Sequence, residues 1–396
     1  MPAAPAVLLT DARWRKALSA ARALGRHGVR VLTCDATRLV AAAVSRYVEH
    51  HLVLPAPARD PAGFVAAVAR LAEREPGLVC FPLEDPTLAA LSAARDRLGG
   101  VVLPIAPHEA IAVALDKHAT AERATALGLA VPRSALPAGP EDLGGALALD
   151  FPVVVKPRQG WGAQGVTVVE RREDLAAAYR RIAAVFPRPL VQERVPPGGE
   201  AHGVSCLFNA RGALRAAFVH RRLREYPLGG GPSTLRVSVE RPDLVERSAR
   251  LLSALGWFGF AMVEWKTDPR DGGARLLEVN PRFVGSLELA VRSGVDFPSL
   301  LYEVAVTGDC PEVLRYKVGQ LCRWLLPGDL LHFLANPARF RLEPSFFRFR
   351  APDLAYDDWA RDDPLPSLAQ LGVVALQALR PSMWRYARTR ATRMPP

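Results

Sequence analysis

The stretch VVVKPRQGWGAQGVTVVE, residues 153–170, decides the fold. It sets Gly160, Gly162 and Gly165 in the spacing G-x-G-x-x-G, which holds phosphate in several unrelated folds. In a dinucleotide-binding turn the last glycine opens a helix. Here it is followed by Val166 to Glu170, an alternating, β-branched run that reads as a strand. The element is therefore strand, glycine loop, strand: a hairpin flap. A Walker loop would end in Gly-Lys-Ser/Thr, whereas this one ends Gly165-Val166-Thr167 and carries Lys156 ahead of the glycines. Protein kinases also place a glycine flap between strands. Their companion segments V-A-I-K, H-R-D and D-F-G are missing here, and HRRLREY, 220–226, has no aspartate in the required place. The glycines by themselves are equally a flexible turn. What gives them chemistry is Lys156 at the end of the preceding strand, together with a second segment farther on.

That second segment is FAMVEWKTDPRDGGARLLEVNPR, 260–282, two strands around a turn at Asp268 to Gly273. Alternation puts Met262, Glu264 and Lys266 on one face, and Leu276, Glu278 and Asn280 on one face of the return strand. Pairing symmetric about position 271 sets Glu264 opposite Glu278. Two carboxylates about 5 Å apart repel unless a cation lies between them. With an amide oxygen they are hard ligands suited to Mg²⁺, or Mn²⁺ in its place, and such an ion completes its shell from water and phosphate. The plainer alternative is a surface hairpin whose carboxylates face water or arginines.

The 396 residues exceed one compact core. Residues 6–104 alternate strands (6–10, 29–35, 78–82, 101–105) with helices (12–28, 61–77, 85–100), which predicts a parallel sheet with helical crossovers. The first strand-to-helix turn, TDARWRK, lacks glycine, so this half does not bind NAD. Residues 107–131 read as helix with a break at Gly128, and the chain from about 311 is rich in Pro, Arg and aromatics with weak periodicity. The amino-terminal segment lacks the order of a signal peptide, and no run approaches the ~20 apolar residues of a spanning helix. Five scattered cysteines without C-x-x-C point to reduced, cytoplasmic thiols. The net charge of +11 is spread over the whole length, which argues against a nucleic-acid face. Only five of the 51 basic residues are lysines (Lys16, Lys117, Lys156, Lys266 and Lys317). Where lysine persists in so arginine-biased a chain, a compact ammonium is the expected need.

Taken in order, these segments resemble the ATP-grasp superfamily, the fold of D-alanine–D-alanine ligase, biotin carboxylase and carbamoyl-phosphate synthetase. The resemblance runs from about residue 1 to 308 and is strongest to the carboxylate–amine ligases. It implies a mixed α/β (α+β) architecture: a parallel α/β domain over 1–106, a small lobe with the glycine flap over 107–191, a large lobe with the Mg/ATP site over 192–310, and an extension over 311–396. LDKHATAERATALGLAVP, 115–132, implies Lys117 on a phosphate, and VVVKPRQGWGAQGV implies Lys156 with the mobile Gly160, Gly162 and Gly165. LVQERVPPGGE, 190–200, implies Glu193 beside the adenine, the backbone of Arg194, Val195 and Pro196 on its edge, and Glu200 on the ribose hydroxyls. MVEWK and LLEVNPR imply Mg²⁺ on Glu264, Glu278 and Asn280, with Arg282 near the transferred phosphate. The implied activity phosphorylates a carboxylate with ATP and lets an amine attack the acyl phosphate, while the flap excludes water. ATP and a small carboxylate and amine are then the partners, and dimers are common in the family. The loop 220–234 varies with substrate in such enzymes. Arg221, Arg222 and Gly229 to Gly231 either clamp a carboxylate or acyl phosphate there, or form a solvated basic loop.

FPLEDPT, 81–87, places Glu84 and Asp85 just past a strand end, where parallel sheets meet ligands; Asp85 as a helix N-cap is the alternative. His118, His202 and His220 form no catalytic or metal-spaced set. In the tail, arginines beside Trp384 and Tyr386 either meet the inner face of a membrane or pack on the core. The competing function is a non-catalytic ATP-binding module that switches partners, also at a membrane surface.

Overall fold

A computed structural model of the protein describes residues 4–160 and 165–378. Gly162 of the flap and the Trp384–Tyr386 tail lie outside the described residues.

The N-terminal sheet holds β1 (Val7–Leu9), β2 (Val31–Asp35), β3 (His50–Val53) and β4 (Val79–Phe81), all parallel, in the order β3-β2-β1-β4. Helices α1 (Arg15–Arg26), α2 (Pro61–Arg74) and α3 (Asp85–Ala93) pack around it. β1, β2 and β4 are buried throughout, as continuous apolar runs in a parallel sheet require. One expectation fails here. Residues 101–105 form no strand; they give one bridge, Val102 to Val79. The fourth strand is instead β3, a half-exposed edge whose sequence HHLV carries no apolar run.

The chain next passes through α4 (His108–Leu115) and α5 (Lys117–Ala126) into a small lobe. Its antiparallel sheet contains β5 (Ser134–Ala135), β6 (Val153–Lys156), β7 (Thr167–Val169) and β8 (Leu190–Glu193), in the order β5-β8-β6-β7. β6 and β7 pair Val153 with Val169 and Val155 with Thr167, so the strands on either side of the glycine stretch form a hairpin, as predicted. β8 runs through the expected lobe boundary at 191/192.

The large lobe is a seven-stranded sheet of β9 (Ala201–Phe208), β10 (Leu214–Glu225), β11 (Ser233–Ser238), β12 (Gly259–Thr267), β13 (Ala274–Asn280), β14 (Leu321–Arg323) and β15 (Leu354–Tyr356). Its order is β13-β12-β9-β10-β11-β14-β15. The segment after 311 therefore extends this sheet. It also returns to the N-terminal domain. Asp357 pairs with Arg236 of β11 and, at 3.0 Å, with Arg15 of α1, while Asp363 takes Arg22 Nε at 2.9 Å and Ser45 Oγ at 2.7 Å. One apolar core runs from Leu8 and Cys80 to Val263 and Trp265, joining the N-terminal domain to the large lobe; the small lobe has its own core. A cleft is left between the lobes. Among the described residues no helix is long and apolar enough to cross a membrane.

Gly259 shows how closely these layers meet. It opens β12 at φ 80°, and a Cβ there would run into the carbonyl of Pro104. Gly259→Ala is expected to destabilise the protein by about 1–3 kcal/mol, since both backbone strain and a backbone clash oppose it. The check is a lower urea midpoint at unchanged slope.

Candidate functional site

Residues 107–131 do not form one helix. The break falls at Asp116, whose extended backbone lets its carboxylate accept from the amides of His118 (2.9 Å) and Ala119 (3.3 Å). Arg158, in the first part of the flap, pairs with the same carboxylate. An aspartate that caps α5 from its N-cap position is the local reason. The break puts Lys117 first in α5, with its ammonium 2.7 Å from Gly160 O and 3.1 Å from Glu278 Oε2. Asp116→Ala is expected to cost about 1–2 kcal/mol as a lost cap. If Lys117 meets a phosphate, as the resemblance implies, displacing it from the head of α5 should also weaken nucleotide affinity; thermal melts with and without ATP separate the two effects.

The hairpin of β12 and β13 faces this lysine. Glu264 pairs directly with Glu278 and Met262 with Asn280, as symmetry about the turn requires. The symmetry then fails. A bulge shifts the register so that Trp265 opposes Leu276, and both enter the core. Leu276 is therefore not on the Glu278 face; Leu277 reaches the cleft instead. The buried Trp265 donates Nε1 to Ser248 Oγ at 2.9 Å, which anchors the strand that carries Glu264.

The two carboxylates are held by different cations. Arg222 NH2 lies 2.5 Å from Glu264 Oε2, and Lys117 holds Glu278. Asn280 Nδ2 is 3.4 Å from Glu264 Oε1 and 3.5 Å from Glu278 Oε1. Burial pushes the Glu264 carboxyl above its ordinary range, and Arg222 does not fully offset this. Burial also opposes ionisation of Glu278, but Lys117 and Lys156 outweigh it and hold that group low. Among the described residues no three His, Cys, Asp or Glu side chains converge as an ion-binding group. The hairpin offers two carboxylates and one amide, a set that fits an ion completed by phosphate oxygens.

These groups line a cleft of about 720 Å³. Ten lysines and arginines against six glutamates give it a positive lining, suited to a polyphosphate. Four of the five lysines are in it: Lys16, Lys117, Lys156 and Lys266. Lys156 Nζ donates to Gln192 Oε1 at 2.7 Å, and burial, then Lys117, lowers its pKa to about 8. Gly160 (φ 123°) and Gly165 (φ 69°) hold backbone conformations that side chains rarely adopt, and a Cβ on Gly165 would strike Phe186 and Pro157.

The hinge residues fall in the cleft with their polar groups partly used. Glu193 Oε1 accepts from Asp150 N (3.0 Å) and meets Arg133 (3.1 Å), so its carboxylate braces the small lobe. The Arg194 amide donates to Pro152 O at 3.0 Å, and Pro196 has no amide hydrogen. Val195 therefore supplies the amide of that stretch, and its carbonyl accepts from Lys266 at 3.3 Å. Glu200 is paired with Arg221. Arg222 points at Glu264 rather than standing free as a clamp. His202 and His220 are buried and kept neutral, chiefly by desolvation.

Arg282 extends the site toward the N-terminal domain by pairing with Asp85. Asp85 is thus not the N-cap of α3; Glu84 holds that position without a side-chain cap bond. Lys16, which no motif marks, sits 2.5 Å from Glu84 Oε1 in the same cleft. The scarcity of lysine was the only sequence signal for it.

Comparison with known proteins bears on the fold that carries this cleft. Residues 185–325 match the family model described as ATP-grasp in the biosynthetic pathway with Ter operon. The chain is 28% identical over 175 residues to acetyl-CoA carboxylase of Saccharomyces cerevisiae, a match that spans 42% of this chain and 8% of that protein. It is 28% identical over 215 residues to D-alanine--D-alanine ligase of Gloeobacter violaceus, spanning 49% of this chain and 69% of the ligase. Its backbone superposes on biotin carboxylase from Campylobacter jejuni with a TM-score of 0.65 at 18% identity, covering 80% of this chain and 74% of the other.

Proposed function

The chain belongs to the ATP-grasp superfamily, and from that premise we propose that it is an ATP-dependent, ADP-forming carboxylate–amine ligase. The observation that carries the reading is the facing pair Glu264 and Glu278, with Asn280 between them, beneath Lys117, Lys156 and a glycine flap. A module that only bound ATP could do without one of these ligands, and here Glu264, Glu278 and Asn280 are all present.

In this proposal Lys117 and Lys156 take the phosphates, the Val195 backbone takes the adenine edge and Glu200 the ribose. Glu264, Glu278 and Asn280 would hold Mg²⁺, which neutralises charge on the phosphoryl oxygens. A carboxylate oxygen of the substrate attacks the γ-phosphorus and ADP leaves. The amine nitrogen then attacks the acyl carbon, phosphate leaves and the nitrogen loses a proton. Arg282 and Arg222 would face the charge that builds on the transferred group, and electrostatic stabilisation of that kind is commonly the largest catalytic contribution. The flap residues keep water from the acyl phosphate.

The test is ADP release screened over mixtures of amino acids, small carboxylates and amines. A carboxylate–amine pair is expected to stimulate release in the wild type. If ATP binds yet no pair stimulates release, the ligase reading fails.

A further inference from the structure

We propose that the segment after β14 presents a docking surface for a membrane containing acidic phospholipid, in which Phe340, Phe347 and Phe349 enter the acyl boundary while Arg339, Arg341 and Arg350 meet lipid phosphates. It does not depend on the ligase reading.

The chain has 15 phenylalanines, and the three exposed ones all lie between 340 and 349: Phe340 at 74%, Phe347 at 57% and Phe349 at 44%. They are the outer members of one cluster of five rings. Phe333 lies against Phe346 with ring centres 4.3 Å apart. Phe340 and Phe347 meet Phe333 at 5.6 and 5.5 Å, and Phe349 meets Phe346 at 5.7 Å. Leu334, next to Phe333 in the chain, is 60% exposed. Contiguous exposed apolar surface of this kind marks an interaction site.

The outer rings are fixed in place. The guanidinium of the buried Arg323 lies 4.5 Å from the Phe346 ring centre and 5.3 Å from that of Phe349. Arg323 donates to Phe346 O at 2.7 Å and to Asp329 Oδ2 at 2.6 Å, and the Tyr356 hydroxyl donates to Phe349 O at 2.7 Å. The fold therefore holds apolar rings out in water, where they cost free energy until something covers them.

Charge indicates what covers them. Between Leu330 and Arg350 four arginines stand against one acid, Glu343. Arg348 is neutralised by Asp353 at 2.7 Å. Arg339, Arg341 and Arg350 are exposed and have no acidic partner among the described residues. Rings and guanidiniums alternate in RFR, 339–341, and FFRFR, 346–350. A bilayer offers phosphate and apolar boundary side by side across its whole face, so it meets such a surface without a matching register. Residues 379–396 add five arginines and no acid to the sequence, which strengthens the attraction to anionic lipid. Nucleic acid fits less well. Phe347 stands at 87° to Phe346 and 78° to Phe349, so the rings offer no parallel faces for successive bases, and Leu334 is aliphatic. The short helix Leu330–Ala335 carries His332 in the cleft wall and Phe333 in the cluster, so docking would hold the cleft close to the lipid.

The experiment co-sediments the full chain with vesicles of phosphatidylcholine alone, or of phosphatidylcholine mixed equally with phosphatidylglycerol. The protein is expected to sediment with the mixture only, and less as salt rises. Phe340→Ser, Phe347→Ser and Phe349→Ser made together should weaken vesicle affinity by about 100-fold, and Arg339→Glu, Arg341→Glu and Arg350→Glu together by a similar factor. A second measurement needs no loss of binding. The five native cysteines are buried, so an environment-sensitive dye on Phe340→Cys reports from this surface. Its emission should shift to the blue on the mixed vesicles. The proposal is overturned if the wild type stays in solution with both vesicles, if it sediments equally with both, or if the serine variant binds as the wild type does, which would move the contact elsewhere on the chain. It also falls if polyuridylate or polyglutamate shifts the dye while vesicles do not, which would make this a surface for nucleic acid or for an acidic protein.

Discussion

Glu278→Gln is expected to lower ADP release by about 10²- to 10³-fold, the scale of losing one electrostatic stabiliser of a transition state, while nucleotide still binds. Two roles of Glu278 act in opposite directions. In the proposed function it is a metal ligand facing Glu264 across the hairpin, and it holds the Lys117 ammonium at 3.1 Å. The substitution removes an anionic ligand and frees Lys117 for phosphate. ATP measured without Mg²⁺ should therefore bind as well as before or better, and the gain that Mg²⁺ gives the wild type should vanish. Calorimetric titration with and without Mg²⁺ checks this. A variant that loses ATP equally under both conditions would make Glu278 a structural partner of Lys117 instead.

Lys156→Met is expected to weaken ATP binding by about 100-fold, because in the proposed function a phosphate loses a half-buried, charge-assisted donor. Burial lowers this lysine to about 8, with Lys117 adding to the effect. The charged form is the protonated one. It is present below pH 8 and lost above, so wild-type affinity should fall as pH rises through about 8. Phosphate favours the ammonium, so binding at pH 8 to 9 should take up protons, seen as a dependence of the calorimetric heat on buffer ionisation. The uptake should be smaller in Lys156→Met. Lys156→Arg keeps the charge and should flatten the pH dependence, although a guanidinium fits the place of a compact ammonium poorly.

The strands around the glycine loop and the hairpin of facing carboxylates were legible in the sequence because both are local. Alternation around a turn is enough to put Glu264 opposite Glu278, and a strand after Gly165 is enough to exclude a dinucleotide turn. What stayed hidden depends on distant partners. The bulge that turns Leu276 into the core follows from packing against Trp265, which no spacing records. The break at Asp116 is written in the sequence as a capping residue, but the helical pattern on either side hides it. The extension beyond 311 lacks periodicity because its two strands are only three residues each, and its ties are ion pairs to Arg15, Arg22 and Arg236 far earlier in the chain. Glu84 and Lys16 meet only because β1 and β4 are neighbours in space. The lysine count pointed toward Lys16 without saying what it would touch.

The measurement that bears most directly on the ligase claim follows an oxygen atom. A mixture of amino acids and simple carboxylates labelled with ¹⁸O in the carboxyl group is turned over with unlabelled ATP and amines, and the phosphate released is weighed by mass spectrometry. Acyl phosphate chemistry moves one carboxylate oxygen into each phosphate and leaves the other in the amide, so singly labelled phosphate should appear in step with ADP. Phosphate released in step with ADP but without label would mean that water, not a carboxylate, attacks ATP, and would contradict the assignment of this site to a carboxylate–amine ligase.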